Sequence, residues 1–226
     1  MSKPQPYMLG RKETGHYRSA FNKTLDIFKQ LDPIHMAARS GAAYNPETSL
    51  FTVKSFGRDI LVHYPSGQTT FTTSELPLMG WRLVTLNYLV RADGTPLSDH
   101  LISYRELENG NVYFPAFQRE SILSLSRWLE GKSPDLLSRA ITNMGGVPCP
   151  GADLAAVIPA LPRFPITLKI WFSDEELPGA ANILFDATAN HYLHTEDIAA
   201  IGGYASAFLI KEYQILTGRP WRPITL

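Results

Sequence analysis

The sequence predicts an α+β fold with a mainly antiparallel sheet and several packed helices. Residues 50–54 and 59–63 are apolar, β-branched or aromatic runs on either side of Gly57, a pattern typical of a β-hairpin. Near the C-terminus, apolar residues recur at helical spacing instead, at Ile198, Ile201, Ala205 and Phe208. Because helices alternate with hairpin-linked strands and not with regular strand–helix–strand units, the pattern favours antiparallel pairing.

The first 45 residues predict an arm and two helices. Residues 1–15 are polar and contain proline and glycine, so we expect a flexible N-terminal arm. Apolar residues at helical spacing then predict a helix with one buried face: Phe21, Leu25, Phe28 and Leu31. Asp32 is typical of an N-cap and Pro33 of a first helical turn, so a second short helix should follow in a new direction.

The remaining elements are predicted from the same two periodicities. Residues 69–73 indicate a third strand, and residues 83–90 indicate a largely buried helix. The segments 100–107 and 111–117 resemble two strands around an Asn109-Gly110 turn. Further helices are expected at 122–129, at 133–141 and from the N-cap Thr195 onward, and further strands at 154–161, 166–172 and 182–185. We expect residues 16–226 to form one domain, with a possible subdomain division near 145–151.

The composition excludes several classes of partner. Hydrophobic residues make up 44% and charged residues 19% of the 226 residues, which is ordinary for a globular protein. Lys plus Arg and Asp plus Glu both number 21, so net charge favours neither a nucleic acid nor an anionic membrane surface. No apolar stretch approaches the roughly 20 residues of a membrane span, and no signal segment is visible. We therefore expect a soluble cytoplasmic protein with no nucleic-acid or membrane partner.

The single cysteine, Cys149, limits the cofactor chemistry. One thiol cannot form an intramolecular disulfide or a cysteine-based zinc site. No iron–sulphur cluster is expected to be ligated by this chain alone, since such clusters need several cysteines. Cys149 lies between two prolines with no histidine close in sequence, so we interpret it as an incidental thiol. The sequence leaves any other cofactor unknown.

Three ordered stretches resemble a known family. They are residues 31–67, 76–117 and 144–203, and the last contains Gly-Ala-Asp, a proline-rich strand turn, Asp-Glu-Glu, Leu-Phe-Asp and Thr-Glu-Asp. These stretches are similar to the bacterial and archaeal family called domain of unknown function 3786, whose activity is not established. Some proteins similar to this family carry a cysteine-rich segment of iron–sulphur type, which this chain lacks. The resemblance therefore implies surroundings of anaerobic corrinoid or iron–sulphur metabolism.

A run of acids follows one predicted C-terminal strand. Asp174, Glu175 and Glu176 come after an apolar run, and Asp186 ends the next apolar run. If the two strands are neighbours, we expect these carboxylates to gather at one sheet edge. Clustered carboxylates supply an acid and a base, or bind a hard cation such as Mg²⁺ or Ca²⁺. The alternative is a solvated turn, in which acids are common.

Two histidines lie close to these acids. His191 and His194 stand three residues apart in "NHYLHTED", near Asp186 and before the last predicted helix. Such a pair together with a carboxylate is a candidate site for a transition metal that activates water. Alternatively, Glu196 and Asp197 serve the helix N-terminus, where acids are stabilising. His191 is also a candidate proton carrier beside Asp186.

Three more residues are candidates for ligand binding. Asp153 precedes an apolar strand, where it either pairs with Arg163 or Lys169 or points into a pocket. Arg105 follows Tyr104 in a predicted strand, and a guanidinium there either binds a carboxylate or phosphate ligand or pairs with a neighbouring acid. Tyr104 belongs to the same candidate ligand site.

These observations leave two functional hypotheses. The first is a non-catalytic protein that binds a small ligand or a protein partner, because no complete catalytic motif is present. The alternative is a metal-dependent or acid/base enzyme with catalytic candidates Asp174, Glu175, Asp186 and His191.

Overall fold

The computed structural model describes residues 3–11 and 15–219 and has the α+β architecture that the sequence predicts. The helices in chain order are α1 (Arg18–Phe28), α2 (Pro33–Ser40), α3 (Met79–Arg91), α4 (Gly110–Phe117), α5 (Ser124–Trp128), α6 (Pro134–Asn143) and α7 (Thr195–Leu216). The strands are β1 (Ala43–Asn45), β2 (Leu50–Ser55), β3 (Arg58–His63), β4 (Thr69–Phe71), β5 (Leu101–Ser103), β6 (Val147–Pro148), β7 (Leu154–Leu161), β8 (Phe164–Trp171) and β9 (Ala180–Asp186).

The strands form a four-stranded and a five-stranded antiparallel sheet within the described part of the chain. Their orders are β1-β2-β3-β4 and β5-β9-β8-β7-β6. In the first sheet, Lys54 faces Asp59 at the end of the β2–β3 hairpin that the sequence predicts. In the second sheet, β5 lies at an edge and pairs Leu101 with Asp186, the last residue of β9. The end of β9 therefore lies beside the start of β5.

Local sequence explains the first helices. The Asp32 carboxylate accepts a hydrogen bond from the His35 N–H at 2.8 Å and caps α2 as predicted, with Pro33 as the first helical residue. Gly41 then ends α2 in the left-handed region, at a φ of 72° that glycine adopts without steric cost.

The two sheets meet at the β2–β3 turn. The Phe56 N–H donates to the Pro159 carbonyl of β7 at 3.1 Å, and the Ser55 hydroxyl donates to the Ala160 carbonyl at 2.5 Å. Trp81 of α3 donates its indole N–H to the same hydroxyl at 2.9 Å, and its ring lies 4.9 Å from that of Phe208 in α7. Apolar residues of both sheets and of α3 and α7 belong to one hydrophobic cluster.

Part of the predicted N-terminal arm is packed against this core. Tyr7 and Met8 are 1% and 0% exposed, and the Tyr7 hydroxyl donates to Glu212 of α7 at 2.8 Å. These two apolar side chains anchor residues 3–11, which differs from the flexible arm that the polar composition predicts. Residues 1, 2 and 12–14 lie outside the described residues. The single domain over residues 16–226 stays a prediction.

Residues 111–117 were predicted as a strand and are helical. Asn109 adopts a φ of 57°, and the chain enters α4 at Gly110 and not a hairpin. A short apolar run fits either a strand or a buried helix, so packing decides between them. Phe117 stacks on Tyr104 at 4.2 Å, and a Cβ added to Gly202 of α7 would lie 2.4 Å from the Phe117 ring. Glycine at position 202 therefore permits the close approach of α4 to α7.

The last helix begins where the sequence predicts, but its cap differs. His194 is the N-cap and Thr195 is the first helical residue, while Glu196 and Asp197 occupy the first turn as expected. Thr195 donates its hydroxyl to the Glu108 carbonyl at 2.5 Å, so the start of α7 is joined to the segment before α4. This junction positions the candidate site.

Candidate functional site

The acidic ends of β8 and β9 do not meet. The two strands are antiparallel neighbours, and the end of β8 at Trp171 lies beside the start of β9 at Ala180. Asp174 follows this end, whereas Asp186 stands at the opposite end of β9, roughly 20 Å away at about 3.3 Å per residue. The expectation that these carboxylates gather at one edge is wrong, because a hairpin reverses the chain between them.

Asp174 closes its own loop. Its carboxylate accepts hydrogen bonds from the backbone N–H groups of Leu177 at 2.7 Å and Glu176 at 2.9 Å, and these bonds lower its pKa. Glu175 and Glu176 are exposed in the same loop. The geometry is that of the solvated turn that the sequence left open as an alternative.

Asp186 holds two loops together. Its buried carboxylate, in a residue that is 5% exposed, accepts from the N–H and hydroxyl of Ser98, the N–H of Asp99, and the N–H and hydroxyl of Thr188, at 2.6 to 3.1 Å. Burial pushes its pKa upward, but the hydrogen bonds from Thr188 and Ser98 outweigh this, so the pKa is lowered. Asp186 is therefore an ionised anchor for the loops on either side of it.

An open polar groove lies beside these loops, at the start of α7. We call it the α7 groove; it consists of two depressions of about 450 and 360 Å³ that share Glu108. Its walls come from the end of α3, the segment into α4, the turn before α7 and the first turn of α7. They are formed by Arg91, Asp93, Glu108, Asn109, Val112, Tyr113, Asn190, His191, His194, Thr195 and Glu196.

His191 is paired with Asp93, not with Asp186. The His191 Nδ1 lies 2.7 Å from Asp93 Oδ2 and 3.1 Å from the Thr95 hydroxyl, and both side chains of the ion pair are about half exposed. The hydrogen bond from His191 lowers the pKa of Asp93 to about 2, so Asp93 is an ionised acceptor. Nδ1 therefore carries a proton. Within the described residues, Nε2 has no hydrogen-bond partner.

His194 is paired with Arg91. Arg91 Nη1 lies 3.1 Å from His194 Nε2. Because a guanidinium only donates, Nε2 is the acceptor and His194 is neutral with its proton on Nδ1. Burial lowers the pKa of His194, and the Arg91 charge lowers it further, while Glu108 and Glu196 act in the opposite direction.

Asn190 joins three walls of the groove. Its carbonyl accepts from Nε and Nη2 of Arg91 at 3.1 and 2.9 Å, and its side-chain oxygen accepts from the Glu108 N–H at 2.9 Å. Its side-chain amide lies 3.1 Å from the Thr195 hydroxyl. These bonds connect Arg91, Glu108 and the start of α7, and each of the three guanidinium nitrogens of Arg91 makes a hydrogen bond.

The groove has more acceptors than donors. Glu108 is exposed, and its carboxylate accepts no hydrogen bond within the part of the chain that the structure describes. Glu196 accepts only from the Tyr113 hydroxyl, at 3.3 Å. Three carboxylates, of Asp93, Glu108 and Glu196, face one guanidinium, so the net charge is −2 with neutral histidines and −1 if His191 is protonated.

The other ligand candidates have structural roles. Tyr104 is buried and donates its hydroxyl to the Thr195 carbonyl at 2.9 Å, which supports the groove from below. The Arg105 guanidinium lies 4.0 Å from the centre of the Phe114 ring and outside the groove. Asp153 accepts from the Phe172 N–H at 2.8 Å, so it pairs with the backbone directly after β8 and not with Arg163 or Lys169.

A further carboxyl lies behind the groove. Asp197 accepts from the Asn87 side chain at 2.9 Å, and Asn87 in turn accepts from the Thr24 hydroxyl at 2.7 Å. Burial raises the pKa of Asp197 to about 6, although the Asn87 hydrogen bond acts against the shift. The first turn of α7 therefore contains a carboxyl that titrates close to neutral pH.

The geometry does not support a metal at the two histidines. His191 and His194 face different partners, Asp93 and Arg91. Over residues 3–11 and 15–219, no three His, Cys, Asp or Glu side chains are placed to share a metal ion. Cys149 is a partly buried free thiol.

Sequence reasoning found two of the groove residues and missed the others. His191 and His194 stood out because of their spacing. Arg91, Glu108 and Asn190 lie in separate segments with no shared motif, so only the fold brings them together. Asp93 precedes Gly94, a pair typical of a turn, so the sequence does not indicate that Asp93 is the partner of His191.

The fold and the groove define an α+β protein with an open, acceptor-rich candidate ligand site. The family model described as Domain of unknown function (DUF3786) matches residues 32–207, which is most of the chain, so the protein belongs to this family. This confirms the resemblance seen in the sequence. The comparisons with curated proteins and with solved structures give no match.

None of the helices in the described residues combines the length and the apolar composition that crossing a bilayer requires.

Proposed function

We propose that the protein binds a small organic cation, a molecule with one or more protonated amines, in the α7 groove. One observation carries the proposal: the groove presents unpaired acceptors and a net negative charge. A protonated amine supplies the hydrogen-bond donors and the positive charge that the groove lacks. Binding of a small ligand was also the leading hypothesis from the sequence.

The two halves of the groove suit different parts of such a ligand. Glu108 and Glu196 offer carboxylate oxygens, and Val112 and Tyr113 lie beside them with exposed apolar surface. An ammonium group binds between the carboxylates while its alkyl chain lies against these two side chains. The second ammonium of a diamine faces Asp93 and the free Nε2 of His191.

The test is a calorimetric titration of the full chain with 1,4-diaminobutane, with 1,4-butanediol as the uncharged probe of matched length. We expect saturable binding of the diamine only, weakened by added salt because the contacts are partly exposed. The double variant Glu108→Gln, Glu196→Gln should weaken binding about tenfold, which corresponds to about 1.4 kcal/mol.

The matched control is Glu47→Gln, which changes an exposed glutamate in the β1–β2 turn away from the groove. It should bind the diamine as the parent protein does. Equal binding of the diol, or undiminished diamine binding by the double variant, contradicts the proposal.

A second candidate function is acid/base catalysis, favoured by the 2.7 Å contact between His191 and Asp93. In this alternative, Asp93 orients the ring and Nε2 of His191 takes a proton from a bound substrate. A screen with hydrolase and transferase substrates tests it. Any turnover should be lost in His191→Gln, while the melting temperature stays close to that of the parent protein, since the His191 side chain is about half exposed. Turnover that survives this substitution excludes His191 as the base.

The cellular setting is part of the proposal. The family resemblance supports a place in anaerobic corrinoid or iron–sulphur metabolism, and the composition supports a cytoplasmic location. A protein partner is the other occupant that the sequence left open, and the titration with small amines discriminates between the two.

A further inference from the structure

A carboxyl group in the first turn of α7 lies directly behind the α7 groove. Asp197 follows Glu196, which is exposed in the groove wall, but Asp197 itself is partly buried and contacts α3. The proposed function does not use this carboxyl. Because the two acids are consecutive, a charge that binds at Glu196 also acts on Asp197.

Two hydrogen bonds in series hold Asp197 against α3 and α1. The Asn87 side-chain amide donates to Asp197 Oδ1 at 2.9 Å, and the Asn87 oxygen accepts from the Thr24 hydroxyl at 2.7 Å. Because the amide oxygen of Asn87 is engaged by Thr24, the amide nitrogen faces the carboxyl. An amide N–H donates to an ionised carboxylate and also to the carbonyl oxygen of a protonated carboxyl. A change in the protonation of Asp197 therefore does not require this contact to break.

The carboxyl is also connected to the walls of the groove. The backbone N–H of His194, the N-cap residue of α7, acts as a hydrogen-bond donor that lowers the pKa of Asp197. Asn87 stands four residues before Arg91 in α3, so both side chains lie on one face of that helix. Asp197 therefore shares its surroundings with His194 and Arg91, two residues of the groove wall.

The charges that face Asp197 are charges of the groove. Burial raises its pKa most, Glu196 of α7 raises it further, and Arg91 of α3 lowers it. The turn before α7 contributes His194, and the contact from α1 comes through Thr24, which carries no charge. The protonation of Asp197 therefore responds to changes of charge in the groove.

A cation in the groove favours the ionised form of Asp197 in two ways. An ammonium group between Glu108 and Glu196 compensates the negative charge of Glu196, which disfavours ionisation of Asp197. It also adds a positive charge, which acts on Asp197 in the same direction as the charge of Arg91. Both changes stabilise the carboxylate, so a bound cation promotes transfer of the Asp197 proton to the solvent.

We propose that binding of an organic cation in the α7 groove is coupled to release of a proton from Asp197, so that the site exchanges a proton for its ligand. This inference rests on the proposed function, because it concerns the regulation of the same groove. The coupling is reciprocal: ionisation of Asp197 strengthens cation binding by the same factor by which the cation favours ionisation. A factor of about five is at the lower end of typical couplings and fits a charge that acts without direct contact.

The coupling gives cation binding a defined pH dependence. The pKa of Asp197 in the unliganded protein is about 6, so the carboxyl is largely protonated at about pH 5 and largely ionised at about pH 7.5. Through Asp197 alone, binding of 1,4-diaminobutane should be about threefold stronger at the higher pH. Histidines also change their charge in this range, so the parent protein is compared with a variant that lacks only this carboxyl.

The first experiment is a calorimetric titration of the full chain and of Asp197→Asn with 1,4-diaminobutane at both pH values. The substitution mimics the protonated carboxyl. It should therefore bind the diamine nearly as the parent protein does at about pH 5, and about fivefold more weakly at about pH 7.5. The control is Asp26→Asn, at an exposed aspartate of α1, which should keep the pH dependence of the parent protein.

The outcomes separate this inference from the proposed function. Saturable binding with the same pH dependence in Asp197→Asn and the parent protein overturns the coupling and leaves the groove as a cation site. Absence of saturable binding to the parent protein at either pH removes the proposed function, and the coupling with it.

A second measurement needs no variant and covers the case in which Asp197→Asn does not fold. The chemical shift of the Asp197 carboxyl carbon is followed by NMR as a function of pH, with and without saturating 1,4-diaminobutane. We expect the midpoint, near pH 6 in the unliganded protein, to fall by about 0.7 pH unit, which corresponds to a fivefold coupling. A midpoint that stays constant or rises, while groove resonances show saturation, overturns the inference.

Discussion

The α7 groove and the β2–β3 turn, where the two sheets meet, differ in how their charges are compensated. In the groove, Asp93, Glu108 and Glu196 outnumber Arg91, and most of these side chains are exposed. At the β2–β3 turn, Arg58 is buried and paired with a fully buried glutamate, Glu212. Exposed charges are screened by water and tolerate imbalance, whereas buried charges must be compensated. Changes at the two sites should therefore differ in their effect on stability.

The largest effect is expected from breaking the buried pair. Glu212→Ala removes the partner of Arg58 and the acceptor for Tyr7 and Asn143, so a buried guanidinium loses its compensation. We expect a loss of about 3–5 kcal/mol in the free energy of unfolding, measured with urea. Glu196→Gln in the groove should change it by no more than about 0.5 kcal/mol. Equal effects of the two substitutions would remove the contrast between the regions.

Asp186→Ala should have the next largest effect. It leaves the donors of Ser98, Asp99 and Thr188, which are partly buried in these bonds, without their acceptor, at a cost of about 1–3 kcal/mol. Asp174→Ala is the control, because its carboxylate serves an exposed loop, and its unfolding curve should match that of the parent protein. If Asp186→Ala leaves the free energy of unfolding unchanged, the two loops are held by other contacts.

The same carboxylate predicts a pH dependence. The pKa of Asp186 is lower in the folded protein than in the unfolded chain, where it is about 3.9. The ionised carboxylate therefore contributes to folding stability above pH about 4, and this contribution is lost as the pH falls through the pKa of the folded state. The difference in stability between Asp186→Ala and the parent protein should therefore shrink as the pH falls below about 4. A difference that stays constant as the pH falls from neutral into the acidic range would contradict a contribution from the charge of Asp186.

The raised pKa of Asp197 predicts a pH dependence of stability with the opposite sign and a smaller size. Because its pKa is raised to about 6, its contribution is present below about pH 4 and is lost as the pH rises through 6. Asp197→Asn removes this titration and keeps an acceptor for Asn87. Near pH 7 it should be more stable than the parent protein, by on the order of 1–2 kcal/mol. Parallel stability curves from pH 4 to pH 7 would contradict this.

The smallest effect is expected at the exposed pair of the groove. Asp93→Asn removes the charge beside His191, and both side chains are about half exposed. The free energy of unfolding should fall by less than about 1 kcal/mol, as measured by urea unfolding. Diamine binding should weaken even so, because the wall loses one negative charge. A large loss of stability with normal binding would make Asp93 a structural residue.

The sequence predicted the elements whose local pattern is unambiguous. The β2–β3 hairpin, the Asp32 cap of α2 and the start of α7 all depend on contacts within a few residues. The prediction of a strand at 111–117 was wrong because its apolar run suits both a strand and a helix. The contact that favours the helix joins Phe117 to Gly202, which is distant in the sequence.

The site was less predictable than the fold. His191 and His194 were recognised by type and spacing, but their partners Asp93 and Arg91 lie about a hundred residues earlier in the chain. The proposed gathering of Asp174 with Asp186 assumed that strand ends meet. Only the antiparallel register shows that they stand at opposite ends of β9.

The most direct test is a map of backbone amide shifts by NMR during titration with 1,4-diaminobutane. Saturable shifts should be confined to the residues of the α7 groove, among them Asp93, Glu108, His191 and Glu196, and should be absent at Lys54 and Asp59. Shifts spread evenly over surface carboxylates, or no saturation at any residue, would show that the groove is not a binding site.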